Sequence, residues 1–482
     1  MSLEYLKSAL QAVEAQALNR RMSVDAWVAE QTVRGEKVAL FRNYIDGDHR
    51  AELSAEMIAI LRIDSKSANR FNDNYCPRVV YTMSDRLKVA RVESDTDAAN
   101  EWLESVLAAN RFDGLQTDVH EASLIDGDAF VMVSWDKENK RVALTNEPAW
   151  DGTSGMMVLH DPQGTVQIAV KSWRETVNSV GDTTRVNVYL PDRIRRYISQ
   201  SGGALQPFKT DEQDWETLLL VKGEPMGCPV VHFKNRWRVG DFYGLSEIEQ
   251  VIPLQDSLNR TMTSLIMAAE LTAFQVKVAL SFEPPAAIAP GSWITITNRD
   301  VDTGIHEPKA YVLETGQVVP YIQAADWLVG QIGRVSDTPM PEHMGADNAS
   351  GESLKQRESG LLGKVSRYQV RNGNKWEDVI TLAARVEAAF GSTPPAFETI
   401  SCKWDAPEVR NDKEVIENAQ VLEAMGYHEE ALRQMAPVFD WDETKIQELL
   451  SEKQATQARN FAALIGNQNL PTYENVSIGA NN

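Results

Sequence analysis

The sequence predicts an α+β fold, with helical segments toward both ends and one β-rich stretch between them. Three observations carry this. Leu3, Leu6, Leu10 and Val13 recur at helical spacing, and at Gly127 the apolar period shortens to about two. Helical spacing then returns over a long run that starts near Ser246.

The amphipathic N-terminal stretch extends to about Arg62, interrupted by a turn at Asp46-Gly47-Asp48. Two helical patterns follow between Asp95 and Ile125, the first carrying Trp102, Leu103, Val106 and Leu107. Phe130, Val131, Val133 and Trp135 then form a short apolar strand. Val166, Ile168 and Val170 alternate with polar residues, as do Val186, Val188 and Leu190, and glycines punctuate the region to about Phe233. The long helix is expected from Ser246, with Ser246 and Glu249 as a capping box, to Phe274, about 43 Å at 1.5 Å per residue. Pro253 should bend it or shift its start. A proline-rich excursion (Pro284, Pro285, Pro290) and a strand at Trp293–Thr297 lead to a second helix over Tyr321–Ser336. Asp337 to Ser350 reads as a mobile loop. A helical tract follows to about Phe390, with a break expected at Asn372-Gly373-Asn374. The chain after Asp412 is helical and acidic, and loses its periodicity from about Gly466.

Composition narrows the function. The 482 residues carry 48 lysines and arginines against 69 aspartates and glutamates, a formal charge of −21. Such a chain cannot coat nucleic acid in general, because phosphate neutralisation needs surplus cations. It can still border DNA in a passage built to repel it. Cys76, Cys228 and Cys402 are too few and too far apart for a disulfide framework and read as buried thiols. No apolar run reaches about 18 residues, and Met1–Lys7 lacks the pattern of an export signal, so membrane-spanning and secreted readings are not expected.

No catalytic, cofactor or metal constellation emerges. Gly360-Leu-Leu-Gly363-Lys364 has two residues between its glycines where a phosphate loop needs four, and Val365 follows the lysine where a serine or threonine is required. Lys364 is therefore expected on a helix surface. The seven histidines are scattered, and His49 and His343 read as solvated loop residues. Asp126/Asp128 and Asp46/Asp48 flank glycines, as turn-forming carboxylates do. An acidic metal-dependent nuclease is the enzymatic alternative, since spacing does not exclude a carboxylate pair.

Five stretches in this order resemble the portal proteins of tailed bacteriophages, of the long-tailed type. They are Phe41–His49; Asn74–Val80 with Asp85-Arg86-Leu87; Gly127–Val133; Gly244-Leu-Ser246 with Pro253–Asn259; and Ser350–Leu354. The likeness covers roughly residues 35 to 410.

The resemblance implies a dodecameric ring. Residues 1–243 would be a mixed α/β wing, 244–274 and 321–336 stem helices, 275–320 a small β-containing clip and 337–350 a tunnel loop. Residues 351–411 would be the tunnel helix and return to the wing, 412–465 a helical crown and 466–482 a flexible tail. It implies a conduit for DNA packaging and ejection at one capsid vertex, in the virion and, during assembly, in host cytoplasm. Implied partners are double-stranded DNA, the terminase large subunit, head–tail adaptors, and major capsid and scaffolding proteins. Asp337, Met340, Glu342, His343, Met344, Asp347 and Asn348 would face the DNA. Arg334, Lys355 and Arg357 are candidate weak DNA contacts, and Pro284, Pro285, Pro290 and Trp293 candidate docking determinants. Another ring-forming adaptor or tail protein is the structural alternative.

Overall fold

A computed structural model describes residues 24–49, 73–161, 164–177, 181–200, 204–210, 214–238, 240–273, 277–280, 293–296, 309–312, 317–340, 351–407 and most of 412–456. The chain divides into two compact units, Met1–Pro407 and Glu408–Asn482. The expected helix at Leu3–Val13 lies outside the described residues, as do Pro284, Pro285 and Pro290.

In the first unit α1 spans Val24–Asp46 and ends at Gly47, whose φ of 73° suits a residue without a Cβ. Next come α2 (Cys76–Ser84), β1 (Val89–Ser94), α3 (Asp97–Ala109) and α4 (Phe112–Asp126). The Thr96 hydroxyl accepts from Ala99 N and so caps α3. Beyond Gly127 lie β2 (Asp128–Asp136), β3 (Arg141–Glu147), β4 (Gly155–His160), β5 (Val166–Val177), β6 (Gly181–Tyr189) and β7 (Arg193–Gln200). Shorter strands follow: β8 (Gln206–Pro207), β9 (Glu216–Leu218), β10 (Leu220–Val221), β11 (Glu224–Pro225) and β12 (Val230–Lys234). The order continues with α5 (Ile252–Ala273), β13 (Lys277–Leu280), β14 (Trp293–Ile296), β15 (Lys309–Val312), α6 (Val319–Ser336), α7 (Gly351–Phe390) and β16 (Ile400–Trp404). The second unit holds α8 (Asp412–Met425) and α9 (His428–Met435).

Strands β4 to β8 form one antiparallel sheet, with β9 also on β7. A second sheet has the order β12-β2-β3, and β1 pairs with β16 across more than three hundred residues, Val89 opposite Trp404. In the third, β13 lies between a parallel β14 and an antiparallel β15.

Helix α7 serves two cores. Its first half places Leu361, Val365 and Tyr368 among Val79, Met83, Val251, Leu328 and Ile332. Its second half places Trp376, Val379, Ile380, Ala383 and Val386 on the β12-β2-β3 sheet, against Val131, Val133 and Phe233. Trp376 is fully buried and its N–H donates to His120 Nε2 at 3.1 Å, so truncating it to alanine would cost about 3–5 kcal/mol.

Two expected features are corrected. The helix does not break at Asn372-Gly373-Asn374. Gly373 is small so that the Trp404 indole can approach, with a Cβ there only 3.0 Å from its nitrogen, and α7 runs on for 40 residues. The Ser246/Glu249 capping box does not form. The Ser246 hydroxyl accepts from Ile248 N at 3.2 Å, Glu249 pairs with Lys37 at 2.7 Å, and α5 begins at Ile252 with Pro253 in its first turn.

Candidate functional site

Four of the five stretches behind the resemblance converge around the start of α5. Gly127 and Gly244 touch: a Cβ on Gly244 would sit 2.0 Å from Gly127 O and 2.6 Å from Asn235 O. Gln255 accepts from Tyr75 N at 2.9 Å and donates to Asp73 O at 2.6 Å. Tyr44 donates to Asp256 at 2.5 Å, and Asn74 donates to Tyr44 O at 2.6 Å. Asn259 Nδ2 lies 3.1 Å from His49 Nε2. His49 is therefore not solvated: it is 5% exposed and stacks on Tyr44 with ring centres 4.3 Å apart.

Asp126 and Asp128 are likewise more than turn-formers. Both are buried, one on each side of Gly127, and each meets an arginine from α1. Arg42 Nη2 donates to Asp126 at 2.7 Å, and Arg34 pairs with Asp128. Asp128 also accepts from Gly244 N at 2.7 Å and from His232 Nε2 at 2.8 Å, which leaves His232 Nδ1 to accept from His160 Nε2 at 2.9 Å. Burial first, then neighbouring positive charge, keeps both histidines neutral, His160 held down to about 2 and His232 well below its ordinary range. Burial raises Asp126 to about 6 despite Arg42. The arginines eight residues apart on α1 could have signalled these partners, since that spacing puts both on one helix face.

Lys364 is corrected too. It is 8% exposed, and its Nζ donates to Glu247 at 2.5 Å and to Ser336 O at 2.8 Å. Glu247, 2% exposed, also receives Asn235 Nδ2 at 2.9 Å and lies 3.0 Å from Arg236 Nε. This cluster joins α7 to the end of α6 and to the segment after β12.

Helix α6 buries Ala325, Leu328, Val329 and Ile332 at helical spacing. It leaves Val319, Tyr321, Ile322, Trp327 and Val335 exposed, Trp327 by 61%. It ends at Asp337 (φ 53°), whose carboxylate packs on Gly360 of α7; a Cβ there would be 3.0 Å away. Met340 is corrected as a DNA-facing residue: it is 9% exposed and folds back on Gly333, where a Cβ would meet it at 2.8 Å. The loop's entry is thus anchored. Asp337 and Arg334 are exposed. Glu342, His343, Met344, Asp347 and Asn348 lie outside the described residues, as do the side chains of Lys355, Arg357 and Trp293.

The cysteines carry no chemistry in this arrangement. Cys76 and Cys228 are buried and Cys402 partly so, and burial pushes each thiol up to about 12. Among the described residues no group of three or more His, Cys, Asp and Glu could hold a metal ion, and no helix is long and apolar enough to cross a membrane.

The family model described as phage portal protein, SPP1 Gp6-like, matches residues 28–459. Two curated relatives named portal protein are similar: one from Mycobacterium phage D29, 27% identical over 188 residues, and one from Mycobacterium phage L5, 26% identical over 188 residues. Each alignment takes in 37% of this chain and 38% of the relative's length. A solved structure described as "Neck of empty GTA particle computed with C6 symmetry" superposes with a TM-score of 0.37 at 13% identity, over 84% of this chain and 99% of that one.

Proposed function

We propose that this chain, which belongs to the SPP1 Gp6-like phage portal protein family, closes into a dodecameric ring at one capsid vertex. The ring is the conduit for DNA packaging and ejection, and the platform on which the terminase large subunit and the head–tail adaptors dock in turn. The match over residues 28–459 carries this reading. The apolar face of α6 supports the assembly: Trp327, Ile322 and Val319 stay in water on the isolated subunit, and a heterologous contact that covers them closes into a cycle.

In this reading residues 1–243 form the wing, 244–274 and 321–336 the stem, 275–320 the clip, 337–350 the tunnel loop, 351–411 the tunnel helix and return, and 412–465 the crown. Each subunit carries −21, so the wall repels the duplex and lets it slide, whereas many fixed cations would brake it. Glu342, His343, Met344, Asp347 and Asn348 form an adjustable collar beyond the anchored entry, and Arg334, Lys355 and Arg357 give weak, register-independent contacts. Pro284, Pro285, Pro290 and Trp293 present the docking surface to the motor. The protein itself does no chemistry, and packaging energy comes from the motor. Capsid and scaffolding proteins hold the ring in the shell.

Electron microscopy of the purified chain tests this. Top views should show closed rings of twelve, and Trp327→Ser should leave folded subunits that no longer close. Sedimentation of the wild type as single subunits at micromolar concentration, across salt conditions, would refute it.

A further inference from the structure

One cavity stands apart from the acidic character of the chain. It opens between the segment after β12 and the middle of α7, with a volume of about 50 Å³. That is room for roughly three or four water-sized groups, the size of one tetrahedral oxyanion. Lys234, Arg236, Lys364, Arg367 and Arg371 line it, against Glu247 as the one lining carboxylate among the described residues. Glu247 is already engaged by Lys364, Arg236 and Asn235.

The remaining cations are short of anions. The side chains of Lys234 and Arg367 form no hydrogen bond or ion pair among the described residues. Lys234 Nζ lies 5.2 Å from the centre of the Trp237 ring, and the Arg371 guanidinium stacks 4.4 Å from the same ring. Trp237 thus holds two cations beside the cavity without neutralising either. Burial, and then the Lys375 charge, push the Lys234 ammonium below the usual lysine range, against the weaker pull of Asp241. Asn372, 1% exposed, lines the same cavity, and its Oδ1 has no hydrogen-bond partner among the described residues. A buried acceptor of this kind is costly unless a donor reaches it.

We propose that this cavity binds a phosphate group: the cations take its charged oxygens, and Asn372 Oδ1 accepts from a P–O–H hydroxyl. A monoanionic or dianionic orthophosphate, or a phosphomonoester end, carries that hydroxyl at least part of the time near neutral pH. Sulfate does not. A bound phosphate would join the segment after β12 to α7 beside the Glu247 cluster. The site goes beyond the ring reading and does not depend on it.

Calorimetric titration of the full chain with sodium phosphate, at ionic strength matched with sodium chloride, tests the site. Saturable binding of one phosphate per chain is expected, with sulfate at least about tenfold weaker for want of the hydroxyl. Lys234→Gln with Arg367→Gln should weaken phosphate by about tenfold or more. Arg367 is exposed, so Arg367→Gln alone keeps the test open where the double variant does not fold. A 5′-phosphorylated duplex oligonucleotide that competes with phosphate would identify a nucleic-acid end as the source, and no competition would identify the free ion. No saturable heat, sulfate binding as tightly as phosphate, or unchanged affinity in the Arg367 variants would overturn the assignment.

Discussion

The Glu247 cluster gives the sharpest stability test. Glu247→Gln keeps the side-chain shape but leaves Lys364 and Arg236 facing each other without their shared anion. Lys364 is 8% exposed, so water relieves little of this, and breaking a buried pair from one side costs about 3–5 kcal/mol. Lys364→Met removes one cation, but Arg236 still lies 3.0 Å from the carboxylate, which places it at the lower end, about 3 kcal/mol. The double substitution removes both charges at once. Its cost should fall short of the sum of the singles by about 2 kcal/mol or more, because neither Glu247 nor Lys364 is then left buried alone and only the partly exposed Arg236 loses its anion. Urea unfolding followed by tryptophan fluorescence reads this directly, since Trp376 and Trp404 report on the core beside α7. Singles below about 1 kcal/mol, or a double equal to the sum, would refute the cluster as a coupled buried unit.

Three further outcomes are expected. His120 (held down to about 4) and His232 are buried and neutral, and the partly buried His160 (about 2) is neutral beside them, against an ordinary value of 6.5. The unfolded chain binds those protons first, so the thermal midpoint should be full above pH 6.5 and fall progressively below it. Asp126, raised by burial to about 6, opposes this as the pH falls, as do Glu30 and Glu121, which burial also raises, while His49, which burial lowers, adds to the histidine effect. A midpoint that stays flat from pH 7 to 5 would contradict the buried-histidine geometry. Gly244→Ala should prevent folding, because its Cβ would meet backbone at 2.0 Å, whereas Gly114→Ala in α4, with nothing within 4 Å, should stabilise by about 0.5–1 kcal/mol; expression and melting of both variants check the contrast. Glu342→Lys with Asp347→Lys should leave rings intact but slow DNA passage, most strongly at low salt where screening is least, and packaging at wild-type rate at every ionic strength would remove the loop as a collar.

What the sequence determined by itself was the kind and order of elements. The switch to period two at Gly127, the alternation of Val186 and Val188, and the apolar spacing of α6 are local signals, set within a few residues by the geometry of strand and helix. The family was readable too, because its signature lies in short stretches kept in order. Tertiary structure alone decided what those stretches do. Asp128 could read as a turn-former and Lys364 as a surface lysine, because the partners that bury them, Arg34, His232 and Glu247, lie roughly a hundred residues away in sequence. The same holds for His49, whose partner Asn259 lies 210 residues away. Asn372-Gly373-Asn374 reads as a break until Trp404 arrives to fill the notch the glycine leaves. A side chain's ionisation, burial and pairing follow from which distant groups exclude water around it, and that is a property of the packed chain and not of any local spacing.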